Sequence, residues 1–285
     1  MRILLVIITS LFFGCSSLPM IDAPSANHNS RVNYLVIHFT SEHFAESLRL
    51  LTQRTDSPVS SHYLVPEPGD ETYSDGRLRI HRLVEEDRRA WHAGRSYWAG
   101  AESLNNNSIG IEIVNRSACV DDSPDTKNPV PEDQTCSFLE YPEEQLDLVV
   151  GLVTDILERY PDIDPVDVIG HADIAPGRRV DPGPLFPWQR LYDHGIGAWY
   201  DDATARQYRM QFATKMPSIH EVQIALGTYG YKIEPTGEND VQTRFVVRAF
   251  QMHYRPTGFS GQVDAETAAI LFALNDKYRP DASLQ

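Results

Sequence analysis

Tyr34-Leu35-Val36-Ile37-His38 marks the start of the folded part of the chain, because it is a short apolar run typical of a buried strand. Further strands are predicted at residues 60–65, 78–84, 109–114 and 167–170. Within residues 109–114, alternation places Ile109, Ile111 and Ile113 on one face of the strand and Glu112 on the other.

A helix is predicted at residues 142–160, between the last two of these strands. Pro142 suits its start, and Glu143 and Glu144 follow in the first turn, where the helix dipole favours acidic side chains. An apolar stripe at helical spacing predicts its core-facing side: Leu146, Val149, Val150, Val153, Ile156, Leu157 and Tyr160. Strands and helices mixed in this way predict an α/β or α+β domain over residues 31–200.

A second, smaller unit is predicted at residues 217–280, after a partly helical linker at residues 201–216. Ser218 and Glu221 fit a capping box at the start of its first helix. A short repeat follows, in which Gly237-x-x-Asp240-x-x-Thr243 is echoed by Gly261-x-x-Asp264-x-x-Thr267. Each copy indicates a glycine turn, an aspartate N-cap and a helix. The sequence therefore predicts a three-helix module, and this module contains no obvious catalytic cluster.

The composition excludes some classes of protein. Hydrophobic residues make up 41% of the 285 residues, enough for a buried core, which argues against wholesale disorder. The formal net charge is -15, and such a chain repels phosphate backbones, so nucleic acid is not predicted as a partner.

The N-terminus has the features of an export signal. Arg2 supplies a positive charge, residues 3–13 are almost wholly apolar, and the run ends at Gly14-Cys15, too short to span a bilayer. This ending resembles a bacterial lipoprotein signal, which implies that Cys15 is lipidated; the alternative is an ordinary cleaved signal with an incidental cysteine. Ser16 after the cysteine implies sorting to the outer membrane. We therefore expect a lipid anchor on the periplasmic side of the outer membrane, with residues 16–30 as a tether.

Two further cysteines, Cys119 and Cys136, are predicted to form a disulfide, because an isolated pair in an exported protein usually does. The loop between them is rich in Asp, Pro and Asn and has little that could pack. Closing a loop of this size stabilises the fold by about 3 kcal/mol in the chain-entropy model. The bridge is interpreted as a structural clip; the alternative is two free thiols.

Two of the ten histidines stand apart by their position in the sequence. His38 and His171 each follow directly after a predicted buried strand, so both imidazoles are expected at the rim of the sheet. Asp181 lies in a loop that proline and glycine restrict on both sides. Two histidines and one carboxylate, with a fourth position open to water, form the ligand set of a catalytic zinc site. Scattered histidines are also common on surfaces and in cores, so spacing alone leaves both interpretations open.

Five motifs, in order along residues 31–188, resemble the zinc-dependent N-acetylmuramoyl-L-alanine amidases of the amidase type 2 family. They are Tyr34-Leu35-Val36-Ile37-His38, Ser61-His62-Tyr63-Leu64-Val65, Ala90-Trp91-His92-Ala93-Gly94, Asn107-Ser108-Ile109-Gly110-Ile111-Glu112 and Gly170-His171-Ala172-Asp173-Ile174-Ala175-Pro176-Gly177-Arg178. That family shares its fold with phage T7 lysozyme and the peptidoglycan recognition proteins. The resemblance implies an α/β domain with a mixed sheet flanked by helices. It also implies hydrolysis of the amide bond between N-acetylmuramic acid and L-alanine in peptidoglycan or muropeptides, for cell-wall turnover or recycling.

The resemblance also implies roles for individual residues. The zinc ligands of the family fall on His38, His171 and Asp181, and its catalytic glutamate falls on Glu112. Zinc lowers the pKa of a bound water and polarises the amide carbonyl, and a glutamate can take the proton of that water.

Other residues are expected to contact the substrate. Arg179 stands where the family often has a lysine that stabilises the oxyanion, which leaves open whether Arg179 acts in catalysis, contacts a substrate carboxylate or lies on the surface. His62, Trp91 and His92 are expected to line the groove, and their alternative is packing in the core. Residues 217–280 resemble a peptidoglycan-binding domain through Val222-Gln223-x-x-Leu226, Gly230-Tyr231 and Ala249-Phe250-Gln251.

Three other functions fit parts of the sequence. A non-enzymatic peptidoglycan receptor typically lacks a complete zinc set, whereas all three ligands and Glu112 are present here. A structural lipoprotein that only tethers the envelope to the wall leaves residues 31–200 unexplained. A zinc peptidase that acts on the stem peptide is the nearest enzymatic alternative.

Overall fold

The computed structural model of the protein describes residues 18, 20–121, 131 and 134–280. The predicted signal peptide and Cys15 lie outside the described residues. Residues 20–29 of the predicted tether are exposed and lie outside helices and strands. Within the described part of the chain, every helix is too short or too polar to cross a membrane.

Strands and helices are mixed in the first part of the described chain, and helices follow. The strands are β1 (Tyr34–Phe39), β2 (Tyr63–Val65), β3 (His81–Arg82), β4 (Tyr97–Trp98), β5 (Ala101–Glu102), β6 (Ser108–Ile113), β7 (Ala118–Asp121), β8 (Gln134–Ser137) and β9 (Val168–Gly170). The helices are α1 (Phe44–Thr52), α2 (Glu143–Arg159), α3 (His171–Ile174), α4 (Trp188–Asp193), α5 (Asp202–Thr214), α6 (Ile219–Tyr229), α7 (Val241–Tyr254) and α8 (Ala265–Tyr278).

The main sheet has the strand order β3-β2-β6-β1-β9. Strands β2, β6, β1 and β9 run parallel, and β3 pairs antiparallel with β2 at one edge. All residues of β1 are buried, as are all residues of β6 except the partly buried Glu112. Leu146, Val149, Val153 and Ile156 of α2 belong to the same buried cluster as the isoleucines of β6. The predicted α/β fold with a mixed sheet is therefore confirmed.

Helix α1 is not predicted by the sequence. Its first backbone N–H, that of Phe44, donates a hydrogen bond to Oδ2 of Asp70, which lies 2.7 Å away and 26 residues further along the chain. Phe44 and Leu51 pack with Leu64 and Val114 in a second buried cluster. Because the cap comes from a distant carboxylate, no capping residue next to the helix announces its start.

The short sequence repeat of the C-terminal unit corresponds to a repeated set of hydrogen bonds between a helix and the turn that follows it. Ser218, Asp240 and Asp264 accept hydrogen bonds from the third residue of α6, α7 and α8 respectively, as predicted for N-caps. The buried Gln223 side chain accepts from the N–H of Gly237 at 2.8 Å and donates to Thr243 at 2.7 Å. Gln251 does the same at the second turn, with Gly261 at 2.8 Å and Thr267 at 2.9 Å. Each helix therefore holds the turn that begins the next one.

Within residues 201–216, predicted above as a partly helical linker, Asp202–Thr214 form the 13-residue helix α5. Its Phe212 is buried, and the ring lies 5.2 Å from that of Phe272 in α8. Tyr208 and Phe212 form an apolar stripe on α5. Because this stripe packs against the core, the segment is part of the fold and not an extended connection between two units.

The C-terminal helices pack directly against the first domain. The indole of Trp98 packs against both Tyr229 and Tyr231, at centroid distances of 6.0 and 4.9 Å. Gly230 makes this approach possible, since a Cβ there would lie 2.8 Å from the Trp98 ring. Asp173 in α3 accepts hydrogen bonds from the Tyr231 hydroxyl at 2.6 Å and from Nδ1 of His253 at 2.8 Å. The two units therefore share one continuous core.

Candidate active site

Three neighbouring parallel strands bring the predicted site residues to one edge of the sheet. In the pairing of β1 with β6, His38 lies opposite Glu112. The pairing of β1 with β9 ends with Ile37 opposite Gly170, so His171 follows directly. The carboxyl ends of parallel strands are where open α/β sheets bind their ligands. The register therefore aligns His38, Glu112 and His171, which are far apart in the sequence.

Three side-chain atoms converge at this edge. Nδ1 of His38 lies 2.9 Å from Nδ1 of His171 and 2.9 Å from Oδ2 of Asp181. Nδ1 of His171 lies 3.0 Å from the same carboxylate oxygen, and all three residues are buried. Ligand atoms of a tetrahedral ion with bonds of about 2.0–2.1 Å are about 3.3 Å apart. The three atoms are therefore spaced closely enough to bind one metal ion after a small adjustment.

The hydrogen bonds of His171 leave its Nδ1 available to a metal. Its Nε2 lies 3.1 Å from the carbonyl oxygen of Ala93, which can only accept, so Nε2 carries the proton. Arg178 approaches this nitrogen at 3.3 Å but donates over shorter distances, 2.8 and 2.7 Å, to the carbonyl oxygens of Ala93 and Arg95. In this tautomer Nδ1 holds a lone pair directed at the other two atoms, as is usual for metal-binding histidines.

Asp181 is held in place through its backbone. The N–H of Ala172 donates to the Asp181 carbonyl oxygen at 2.8 Å, and the Tyr141 hydroxyl donates to the carbonyl oxygen of Pro182 at 2.8 Å. Burial raises the pKa of Asp181, but the proximity of His171 and His38 outweighs burial and holds the pKa well below its usual value. The carboxyl group is therefore ionised at neutral pH and can bind a cation.

The protonation states of these residues fit a bound cation. Burial, and after it the neighbouring His171, lower the pKa of His38 to about 4 against the opposing effect of Asp181. Two imidazole nitrogens and a carboxylate oxygen that face one another at 2.9–3.0 Å can together surround a positive charge. The three residues thus have the chemistry of a metal site with nitrogen and oxygen ligands.

Glu112 is the acidic residue beside this site. Its Oε2 atom is buried, and within residues 18, 20–121, 131 and 134–280 it has no hydrogen-bond partner. Burial raises the pKa of Glu112 well above its usual value, the charge of Asp181 raises it further, and Arg179 opposes both. A carboxylate with a raised pKa and an unsatisfied oxygen, next to a metal site, is suited to take a proton from water.

A cavity of about 460 Å³ opens over these residues, and both Arg179 and Trp91 line it. The Arg179 side chain is exposed, and its guanidinium makes no hydrogen bond or salt bridge to the part of the chain that the structure describes. Half of the Trp91 surface is exposed, and its backbone N–H donates to Oγ of Ser60 at 2.9 Å. The structure therefore brings a free cation and an open aromatic face to the same cavity.

This arrangement agrees with a family match over more than half of the chain. Residues 28–184 match the N-acetylmuramoyl-L-alanine amidase family. The chain belongs to this family. Residues 215–271 match the peptidoglycan binding domain family.

Individual relatives of this amidase extend the likeness beyond the catalytic domain. The N-acetylmuramoyl-L-alanine amidase AmiD of Escherichia coli K12 is 44% identical over 255 residues, which cover 88% of this chain and 85% of AmiD. The crystal structure of AmpDh3 from Pseudomonas aeruginosa is similar with a TM-score of 0.82 and 42% identity, covering 92% of this chain and 100% of that one. AmiD from E. coli, solved with the substrate anhydro-N-acetylmuramic acid-L-Ala-D-γ-Glu-L-Lys, gives a TM-score of 0.75 at 40% identity, covering 90% and 93%. The predicted family, the fold and the amidase activity are therefore confirmed.

The two histidines predicted to line the amidase groove differ in position. His62 is fully buried and does not line the cavity. Its Nδ1 accepts from the N–H of Gly110 at 3.0 Å, and its Nε2 donates to the carbonyl oxygen of Arg88 at 3.2 Å. His62 is thus a core histidine with both nitrogens bonded to backbone, which is the alternative that the sequence left open. His92 does line the cavity, and its ring is bonded to His38 and Ser108.

Two walls of the amidase cavity were missed by the sequence. One comes from α1 and the segment that follows it, and its apolar members are Leu50, Leu51 and Val59. The other is the β7–β8 hairpin, where Cys119 pairs with Cys136 and the two form the predicted disulfide. Cys119 and Gln134 of this hairpin line the cavity. The cysteine pair was the available signal for the second wall, because a disulfide holds together the two segments that it joins.

Proposed function

We propose that this amidase uses zinc to hydrolyse the amide bond between N-acetylmuramic acid and L-alanine in peptidoglycan or muropeptides. The observation that carries the proposal is the convergence of His38, His171 and Asp181 within 3.0 Å of one another, in register with Glu112. Two nitrogens and one oxygen suit zinc, whereas magnesium and calcium prefer oxygen ligands. The muramyl peptide bound to the similar AmiD supports the substrate class.

Each residue of the site has a task in this reaction. When bound, zinc supplies a Lewis acid that polarises the scissile carbonyl and lowers the pKa of water. Glu112 takes a proton from the attacking water and passes it to the leaving nitrogen of the alanine. The raised pKa of Glu112 strengthens it as a base and lets it return the proton as an acid near neutral pH.

Arg179 and Trp91 are proposed to hold the substrate. The guanidinium of Arg179 lines the cavity, so it can stabilise the oxyanion or bind a substrate carboxylate. The exposed indole of Trp91 offers an apolar surface to the muramyl or peptide part of the substrate.

We further propose that lipidation of Cys15 anchors the amidase to the periplasmic side of the outer membrane. The apolar run that ends at Gly14-Cys15 supports this location. Residues 217–280 are proposed to bind the wall itself, because residues 215–271 match a peptidoglycan binding domain. Anchor and wall-binding unit together raise the local concentration of substrate without changing the chemistry.

Metal removal tests the proposal. Chelation is expected to abolish turnover and added zinc to restore it, and His38→Ala is expected to lose metal and activity together. His28→Ala is the matched control, because His28 is exposed in the tether. A metal-free protein that remains fully active contradicts the proposal.

A further inference from the structure

A chain of hydrogen bonds runs from the ring of His38 into the core. Nε2 of His38 lies 3.0 Å from Nδ1 of His92, and Nε2 of His92 lies 3.1 Å from Oγ of Ser108. Oγ of Ser108 lies 2.5 Å from the carbonyl oxygen of Leu104. His38, His92 and Ser108 are all buried, so bulk water does not compete for these bonds.

The direction of each hydrogen bond follows from the Leu104 end of this series. The carbonyl oxygen of Leu104 can only accept, so the Ser108 hydroxyl donates its proton there. Oγ of Ser108 then accepts from the N–H at Nε2 of His92, and a neutral ring with this proton has a lone pair at Nδ1. That lone pair accepts the N–H at Nε2 of His38. Nδ1 of His38 is therefore left without a proton, facing Asp181 and His171.

The structure makes room for His92 and fixes its backbone. The N–H groups of His92 and Ala93 both donate to Oδ1 of Asn105, at 3.0 and 2.7 Å. Gly110 in β6 faces the imidazole, and a Cβ at this position would lie 2.5 Å from Cγ of His92. Any larger residue at position 110 would displace the ring, so this strand is shaped around His92.

We propose that His92, oriented by Ser108, is a positioning residue that holds His38 in the tautomer that presents its Nδ1 lone pair to the metal. Metal-binding histidines usually donate their second N–H to a carboxylate, a carbonyl oxygen or water. A neutral imidazole in this role orients the ligand without adding a negative charge beside Glu112. The acceptor nitrogen of His92 is already bonded to His38, so His92 is neither the general base nor a substrate ligand. The proposal rests on the zinc site proposed above.

Two substitutions of His92 separate orientation from packing. Asparagine places an amide oxygen near the position of Nδ1, so His92→Asn keeps an acceptor for His38 and loses the bond to Ser108. His92→Leu removes both. His62→Leu is the matched control, because His62 is also buried beside the same strand, but within the described residues its ring bonds to backbone only, that of Gly110 and Arg88.

Zinc affinity, measured by competition with a fluorescent chelator, is the first readout. His92→Leu is expected to weaken zinc binding about 10- to 100-fold, as is typical when the outer partner of a metal ligand is removed. His92→Asn is expected to stay within about threefold of wild type, and His62→Leu to lower the melting temperature without changing zinc affinity. At saturating zinc the KM of His92→Asn for a muropeptide should be unchanged.

Nitrogen-15 NMR of the histidine rings in the zinc-free protein is the second readout and does not depend on activity. Wild type is expected to show His38 with its proton at Nε2. Ser108→Ala removes the acceptor that orients His92, so it should convert His38 to a mixture of tautomers. This small substitution keeps the test available if His92→Leu does not fold.

The possible results distinguish this proposal from the zinc site on which it rests. A wild-type protein that binds no zinc contradicts the zinc site. A wild type that binds one zinc, together with a folded His92→Leu of equal affinity, overturns the role of His92. An unchanged His38 tautomer in Ser108→Ala, or a raised KM with normal zinc affinity in His92→Asn, overturns it as well.

Discussion

Removing a single hydroxyl group, that of Tyr231, is expected to destabilise the amidase although Tyr231 lies outside the catalytic domain. Tyr231 is 2% exposed and donates to the equally buried Asp173 at 2.6 Å. Asp173 lies two residues from His171, and it also accepts from the N–H of Gly170 and from His253, both at 2.8 Å. Tyr231→Phe keeps the ring against Trp98 and deletes only the hydrogen bond.

The expected cost follows from the partners of Asp173. A hydrogen bond to a charged group contributes about 1.5–3 kcal/mol, and the two remaining donors keep the loss near the middle of that range, about 2 kcal/mol. For a chain of this size this corresponds to a fall in Tm of about 4–8 °C.

Tyr208→Phe is the matched control. Tyr208 also donates to a carboxylate, that of Asp276 at 2.7 Å, but this bond is exposed to solvent. Even exposed ion pairs contribute only about 0–1 kcal/mol, so loss of this exposed hydrogen bond in Tyr208→Phe should change the free energy of unfolding much less. Urea unfolding followed by tryptophan fluorescence measures both variants. Equal losses in the two variants refute the argument that the C-terminal helices stabilise the catalytic domain through Asp173.

Four further results are expected. Glu112→Gln should keep the fold and the metal and lose about 100- to 10,000-fold in turnover, measured beside zinc content; normal zinc with a rate within about threefold of wild type moves the base elsewhere. In the metal-free protein the raised pKa of Glu112 means that the folded state binds this proton more tightly than the unfolded chain, so stability from this group falls as the pH rises above 4.5. Glu112→Gln should flatten the pH dependence of the free energy of unfolding, measured by urea titrations at several pH values. An unaltered pH dependence argues against a raised pKa of Glu112. Cys15→Ala should not incorporate radiolabelled fatty acid, whereas equal labelling of both proteins rejects the lipid anchor. Replacing the exposed Ile224 of α6 by Glu should weaken pelleting with sacculi while a soluble muropeptide is still cleaved, and unchanged pelleting would place wall binding on another face.

The sequence was sufficient to predict that the proposed metal ligands His38 and His171 lie close together, because parallel strands end at a common edge. His38 and His171 follow two such strands, and alternation separates Glu112 from its isoleucine neighbours. The sequence could not distinguish His62 from His92, since both lie in family-like motifs. Their roles differ only because the register and Gly110 direct the ring of His92 toward His38 and leave His62 to the backbone.

The packing of the C-terminal helices against the first domain also could not be predicted from the sequence. The N-caps at Asp240 and Asp264 are local signals and were predicted correctly. The contacts that join the two units, such as Trp98 with Tyr231, link residues more than a hundred positions apart. Neither partner carries a pattern that identifies the other, so the sequence indicated a partly helical linker at residues 201–216 but not the packing of its helix.

The bond that is cut tests the central claim most directly. Mass spectrometry of muropeptides digested by the purified protein is expected to show stem peptides with a free alanine terminus and peptide-free muramic acid. These products should disappear on chelation and return with zinc. Products that retain the bond between muramic acid and alanine, or cleavage that is unaffected by complete metal removal, would contradict a zinc-dependent N-acetylmuramoyl-L-alanine amidase.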